Sequence, residues 1–294
     1  MINPSFRFAL IAACSLVLTA GLTGQTPAAP KLEFPAASPG ATVKQHLGLT
    51  DVQVDYSRPG KKGRVIFGGL VPYGEVWRTG ANTATKISFS TAVKLNGTDL
   101  AAGDYALYTI PGRDEWTIIL NKVTGQWGAY SYDAKNDVAR VAAKPVALAE
   151  TVESFEISFN DLGPDAATLN FTWDKVRVPV TLTVDVKTAL VPKIEAAMAA
   201  GGADLPYRDA AMFYYENNLD LKKAALWMDA YIASRKDFKF PFTYRKALIL
   251  EKLGDKAGAL TTARESLEDA SKAQGSVKDE YIRLNQALIE RLNK

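Results

Sequence analysis

The apolar residues of this chain change period near Asp185, and no other feature so narrows what it can fold into. From Thr42 to Asp185 they alternate with polar ones. Val52, Val54 and Tyr56 are set against Gln53, Asp55 and Ser57; Phe155, Ile157 and Phe159 against Glu156, Ser158 and Asn160; and Leu169, Phe171 and Trp173 against Asn170, Thr172 and Asp174. Val176, Val178, Val180, Leu182 and Val184 continue the alternation. A period of two turns one side of an extended chain to a dry interior and the other to water. Asn96-Gly97, Pro111-Gly112, Gly163-Pro164-Asp165 and Asp174-Lys175 are turn signals that predict hairpins between successive strands. Tyr105 to Ile110 and Trp116 to Leu120 are apolar on both faces, which predicts central strands. With no long helical pattern between these segments, residues 40–186 are expected to form an antiparallel β-sandwich or flattened barrel.

After Asp185 the spacing becomes helical. Leu221, Ala224, Ala225, Met228, Tyr231 and Ile232 fall on one stripe, and Tyr281, Leu284, Leu288 and Leu292 on another. Pro192 and Pro241 suit first-turn positions, and Gly254-Asp255 marks a break between helices. Leu219, Ala225 and Leu226 recur 34 residues later as Leu253, Ala259 and Leu260. That is the tetratricopeptide period, so residues 187–294 are expected to be an all-α, helical-hairpin, repeat-like domain. There is room for two copies, and the segment from Ser276 to Asn293 is expected to cap them.

Residues 1–30 hold one charged side chain, Arg7, followed by an apolar run from Phe8 to Leu22 and the small residues Ala28, Ala29 and Pro30. This is the pattern of a signal peptide, expected over residues 1–24 with cleavage between about 20 and 29. The apolar run is shorter than the ~20 residues of a spanning helix and no basic cluster follows it. Ile11-Ala12-Ala13-Cys14 resembles a lipobox, but the apolar run continues beyond Cys14, so lipid anchoring is not expected there. Residues 25–39, rich in Pro and Ala, read as a flexible lead-in. The mature protein is expected to be periplasmic or secreted, with no membrane span.

Composition removes several chemistries. One His and one Cys cannot build a zinc finger, a His-rich metal centre or an internal disulfide, and no metal or cofactor is expected. A net charge of +3 calls for no nucleic acid. His46, the one histidine, lies on a strand-like run with no Gly-x-Ser-x-Gly elbow, which argues against a serine triad. Asp133 with Asp137, and Asp161 with Asp165, lack the spacing of a calcium loop.

The segment from Ser57 to Thr85 departs from strand alternation. Through Asn82 it carries Arg58, Lys61, Lys62, Arg64 and Arg78 against Glu75 alone. Convergent arginines would suit a carboxylate, phosphate or sulfate, and Trp77 a sugar or ring. The alternative is scaffolding, in which the arginines bond backbone carbonyls and Trp77 plugs the core. Trp127, Gly128, Tyr130 and Tyr132 form an aromatic group that either rims the same cleft or packs in the core.

The motifs here also carry a resemblance. Tyr56-Ser57-Arg58-Pro59, Lys62-Gly63-Arg64, Ile66-Phe67-Gly68, Leu70-Val71-Pro72-Tyr73-Gly74 and Val76-Trp77-Arg78-Thr79-Gly80-Ala81-Asn82 resemble the signature of a bacterial secreted family, domain of unknown function 2911. Ala102-Gly103-Asp104-Tyr105, Ile110-Pro111-Gly112, Asp114-Glu115-Trp116 and Trp127-Gly128-Ala129-Tyr130 continue it, over about residues 35–185. The resemblance implies a β-rich extracytoplasmic domain, points at Arg58, Lys62, Arg64, Trp77, Arg78 and Asn82, and implies no reaction. The function expected is a non-enzymatic binding module, its loop site taking an anionic small molecule, glycan or peptide and its helical repeats a protein partner. The alternatives are a secreted hydrolase or lyase using Arg, Lys, Tyr or carboxylate groups of the same cleft, or a structural envelope protein.

Overall fold

Alternation becomes two stacked antiparallel sheets because each strand has one face to hide. The computed structural model describes residues 34–202 and 204–294; the expected signal peptide, its cleavage point, Cys14 and the lead-in through residue 33 lie outside the described residues. The strands are β1 (Gly40–Leu47), β2 (Thr50–Ser57), β3 (Thr85–Phe89), β4 (Val93–Leu95), β5 (Thr98–Leu100), β6 (Gly103–Ile110), β7 (Trp116–Asn121), β8 (Asp137–Ala143), β9 (Val146–Asn160) and β10 (Ala166–Thr183). A six-stranded sheet has the order β1-β2-β3-β6-β7-β8, and a four-stranded sheet the order β5-β4-β10-β9. Asn96 and Gly97 both take positive φ, 44° and 83°, the type I′ geometry that matches the twist of the β4–β5 hairpin. The Asn96 side chain then bonds both sheets, donating to the Ala142 carbonyl and accepting from the Thr181 amide.

The inner faces meet in one core. Val54, Ile87, Leu107, Ile118 and Leu120 come from the larger sheet, and Phe155, Ile157, Leu169, Phe171 and Val180 from the smaller. Each such side chain, fully buried, contributes about 1.5–3 kcal/mol relative to exposure. β6 and β7 are central, as their two-sided apolarity predicts. On their outer face Ala106, Tyr108 and Ile119 lie under a second apolar layer made with Ala84, Val76, Ala129 and Tyr132.

Two local expectations change. Asp174-Lys175 makes no hairpin: β10 runs through it, with Asp174 at φ 52° and a register shift against β9 at that point. A single left-handed residue bulges a strand without reversing it, and the partner strand continues on both sides. Pro192 lies inside helix α1 (Val186–Ala200), because the Asp185 side chain caps the helix earlier by accepting from the Thr188 amide.

The helical half continues with α2 (Tyr207–Glu216), α3 (Leu221–Ser234), α4 (Phe240–Leu253), α5 (Lys256–Lys272) and α6 (Val277–Asn293). Asp220 and Asp255 cap α3 and α5 with their side chains, Pro241 stands in the first turn of α4, and Gly254 ends α4 at φ 89°. From α2 onward each helix packs on its successor, and α6 covers the last pair by burying Leu288 and Leu292 against Ala247, Ala259 and Ala263. Among the described residues, no helix is long and apolar enough to cross a membrane.

Candidate functional site

The basic segment after β2 crosses from one sheet to the other and back. Gly60 bridges Ser154, while the Lys61 amide donates to the Glu153 carbonyl and the Phe155 amide to the Pro59 carbonyl. Pro59–Lys61 thus lengthens the edge of the smaller sheet beside β9. On the return, Trp77 and Thr109 exchange backbone hydrogen bonds of 2.8 and 2.9 Å on β6.

The side chains make the crossing firm. Arg58 donates Nε to the Phe155 carbonyl at 3.0 Å and lies 3.4 Å from Glu156. Arg64 donates to the Lys61 and Gly60 carbonyls. Lys62 takes φ 50° and its amide donates to the Glu153 carboxylate, while Lys61 Nζ meets Asp174 at 2.6 Å. Glu156 and Asp174 therefore pair with Arg58 and Lys61, Glu153 holds the Lys62 amide, and the Arg58 and Arg64 donors close on protein acceptors instead of a shared open point. Trp77 is 8% exposed, stacked on Trp173 at 5.9 Å and edge-on to Phe67, Trp116 and Phe155. Its ring has no open face for a ligand, and its N–H donates to the Gly80 carbonyl at 3.1 Å. Arg78 has a buried Nε with no hydrogen-bond partner, and its carbonyl accepts from Thr85. Asn82, at φ 60°, donates to the Ser38 carbonyl and to Ser57 Oγ, both at 3.2 Å. Arg58, Lys62 and Arg64 thus gather along β9, Trp77 lies in the core, and Asn82 stands at the end of β2.

A more open feature lies on the outer face of the six-stranded sheet. The loop from Lys122 to Asp133 folds over β6 and β7. It is joined to the return leg by Ala84 N–H to the Gln126 carbonyl, Gly128 N–H to the Asn82 carbonyl, and a bridge between Thr83 and Trp127. Its far end is pinned by Tyr132, whose hydroxyl donates to Asp137 at 2.7 Å and accepts from Arg140 at 2.7 Å; Asn121 also donates to Asp137. Burial, aided by the Asp137 carboxylate, pushes the Tyr132 hydroxyl up to about 12, so it stays a neutral donor. Gly128 has φ +68°, a conformation that favours glycine, and the exposed Tyr130 ring, 2.7 Å from where a Cβ would lie, would have to shift for any side chain there.

The loop stops short of β1–β3, leaving a groove of about 520 Å³ lined by Thr42, Asp55, Ser57, Thr83, Lys86 and Thr124, among others. Asp55 accepts from Thr42 Oγ1 at 2.7 Å and from Gln53 Nε2 at 2.9 and 2.8 Å, with Lys86 Nζ at 3.7 Å. Burial pushes its carboxyl up, but the bonds from Thr42 and Gln53 and the Lys86 charge outweigh this and hold it below its ordinary value. Lys86 is also 3.9 Å from Asp104. Trp127 is 66% exposed and Tyr130 84%. The groove therefore offers a carboxylate held in place by Thr42 and Gln53, the Lys86 amine and several hydroxyls, groups suited to polar contacts. His46 lies at the far edge of this face, exposed, 2.7 Å from Asp51 across the β1–β2 hairpin. Among the described residues, no three His, Cys, Asp or Glu side chains are grouped to hold a metal.

Sequence reasoning marks Asp55 and Ser57 as wet-face positions, and Trp127 as part of an aromatic group, without joining them. The joining depends on β3 pairing with β6 while β4 and β5 leave for the other sheet, which no local pattern announces. Residues 38–182 match the family described as protein of unknown function (DUF2911). Nothing among curated proteins or solved structures matches the chain.

Proposed function

Because residues 38–182 belong to the DUF2911 family, whose description carries no activity, we propose a function from the geometry: a non-enzymatic binding module, secreted or periplasmic, that holds a small polar ligand on the outer face of its larger sheet. The observation that carries this reading is the groove between the Lys122–Asp133 loop and β1–β3, floored by the Asp55–Lys86 pair. Of the six residues singled out in the sequence, Asn82 borders the groove through Ser57. Arg58, Lys62 and Arg64 serve as the tether between the sheets, and the ligand is not an anion gripped by them. The helical half supplies the surface for a protein partner. Its support is the groove among α3, α4 and α5, where Leu226 and Leu253 are exposed beside Ala225 and Leu250. The address rests on the charge and hydropathy pattern of residues 1–30.

The test is ligand-observed NMR against a library of small polar compounds, with wild type, Asp55→Asn and Lys86→Ala compared. Ligands that bind wild type and lose binding in both variants are expected; binding that neither variant alters would contradict the site.

A further inference from the structure

We propose that the groove's ligand is a neutral glycan, one pyranose ring lying against Trp127 while adjacent ring hydroxyls reach the Asp55–Lys86 pair. This rests on the groove being the binding site, and it adds the ligand's class.

Charge comes first. Asp55 and Lys86 are the charged groups that line the groove, and they cancel, leaving its floor without net charge. Arg58 and Arg64, which would draw an anion, are committed to carbonyls beside β9. A floor without net charge gives an anion no overall attraction, whereas hydroxyl groups can bond to both members of the pair.

Unfilled hydrogen-bonding capacity comes next. A carboxylate offers about four acceptor sites, and Thr42 and Gln53 take three of those on Asp55. Lys86 stands 3.7 and 3.9 Å from its two carboxylates, farther than a hydrogen bond. A hydroxyl placed between them can donate to Asp55 and accept from Lys86, satisfying both. Vicinal hydroxyls present two such groups side by side, and Ser57 Oγ, which accepts from Asn82, retains a proton to donate to a third.

The indole supplies the rest. Trp127 is paired with Thr83 in an antiparallel bridge, and residues directly opposite in such a pair send their side chains to the same face. Thr83, Thr124 and Gly125 line the groove, and Trp127, itself outside that lining, stands opposite Thr83 at its margin, 66% exposed. A flat apolar ring with water on it suits the C–H face of a sugar, which has nothing to hydrogen-bond. The volume, about 520 Å³, lies within the range of small-molecule sites, about 300–1,000 Å³.

The experiment is affinity electrophoresis and calorimetry with cellohexaose, maltohexaose and chitohexaose, set beside anionic oligogalacturonate. The proteins are wild type, Trp127→Ala, Trp127→Phe and Asp55→Asn, each checked by circular dichroism. At least one neutral hexasaccharide is expected to bind, with affinity reduced about tenfold or more in Trp127→Ala, restored to within about threefold in Trp127→Phe, and reduced in Asp55→Asn. Binding of oligogalacturonate alone overturns the assignment of a neutral ligand. Hexasaccharide binding lost in Asp55→Asn but untouched in Trp127→Ala overturns the stacking and leaves the groove standing. No oligosaccharide binding, while the NMR library yields Asp55-dependent ligands, overturns the glycan alone; failure of both screens overturns the site.

Discussion

Two irregular segments of the β half, one strongly basic and one nearly neutral, differ in how their aromatic rings are packed. The stretch from Arg58 to Asn82 and the loop from Lys122 to Asp133 are each glycine-bearing and aromatic; the first is bonded to both sheets and the second lies over the outer face of the larger. In the first, Trp77 is 8% exposed and the arginines close on carbonyls; in the second, Trp127 is 66% exposed beside an open groove. The difference lies in what each aromatic ring finds. Trp77 enters a cluster with Phe67 of its own segment and with Trp116, Phe155 and Trp173 from the two sheets, while Trp127 is left largely exposed. Loop chemistry alone does not separate a scaffold from a site; the packing around it does.

The sharpest way to break that comparison is to remove both indoles. Trp77→Ala opens a large cavity between the sheets and should cost about 3–5 kcal/mol, whereas Trp127→Ala should fall within about 0.5 kcal/mol of wild type. Urea unfolding measures both, and equal losses would erase the distinction.

A middle-sized effect is expected at the tether. Lys61→Ala leaves the half-buried Asp174 carboxylate without its 2.6 Å partner and should cost about 1–2 kcal/mol. Urea unfolding again reads it, and no loss would mean that the crossing is held by its backbone bonds alone.

Gly128→Ala should cost about 1–2 kcal/mol, since it combines a left-handed φ with the Tyr130 contact. Gly125→Ala, with φ +79° and open space around it, should cost only the conformational share, about 1 kcal/mol. Thermal unfolding of the pair separates the two contributions.

The smallest effect is electrostatic. Asp55 has a folded value below its ordinary 3.8, so its contribution to stability is complete above the unfolded value and disappears as pH falls through the folded one. Asp55→Asn should therefore flatten the acid limb of the stability curve below about pH 4 and leave the shape above pH 6 unchanged; urea midpoints across pH 2–7 check it.

The architecture was legible because periodicity is local. Tyr105–Ile110 and Trp116–Leu120 announced central strands by lacking a wet face, and Gly254-Asp255 announced a helix break. Asp174 misled because a left-handed residue in a bulge has the same residue preferences as one in a turn. The tether was half legible: its basic residues stood out, but their partners Glu153, Glu156 and Asp174 come from strands about a hundred residues away, as the Arg58–Glu156 separation of 98 illustrates. The groove was least legible, because Thr42, Asp55 and Lys86 are unremarkable wet-face residues until β1, β2 and β3 are laid side by side.

The central claim is that binding belongs to the groove beside Trp127 and not to the arginine tether. It is tested most directly by titrating one hexasaccharide that binds wild type into two double variants, Trp127→Ala/Lys86→Ala and Arg58→Ala/Arg64→Ala, under conditions where both are folded. Binding abolished in the first and retained in the second is the predicted result. Binding retained in the first and abolished in the second would contradict the account.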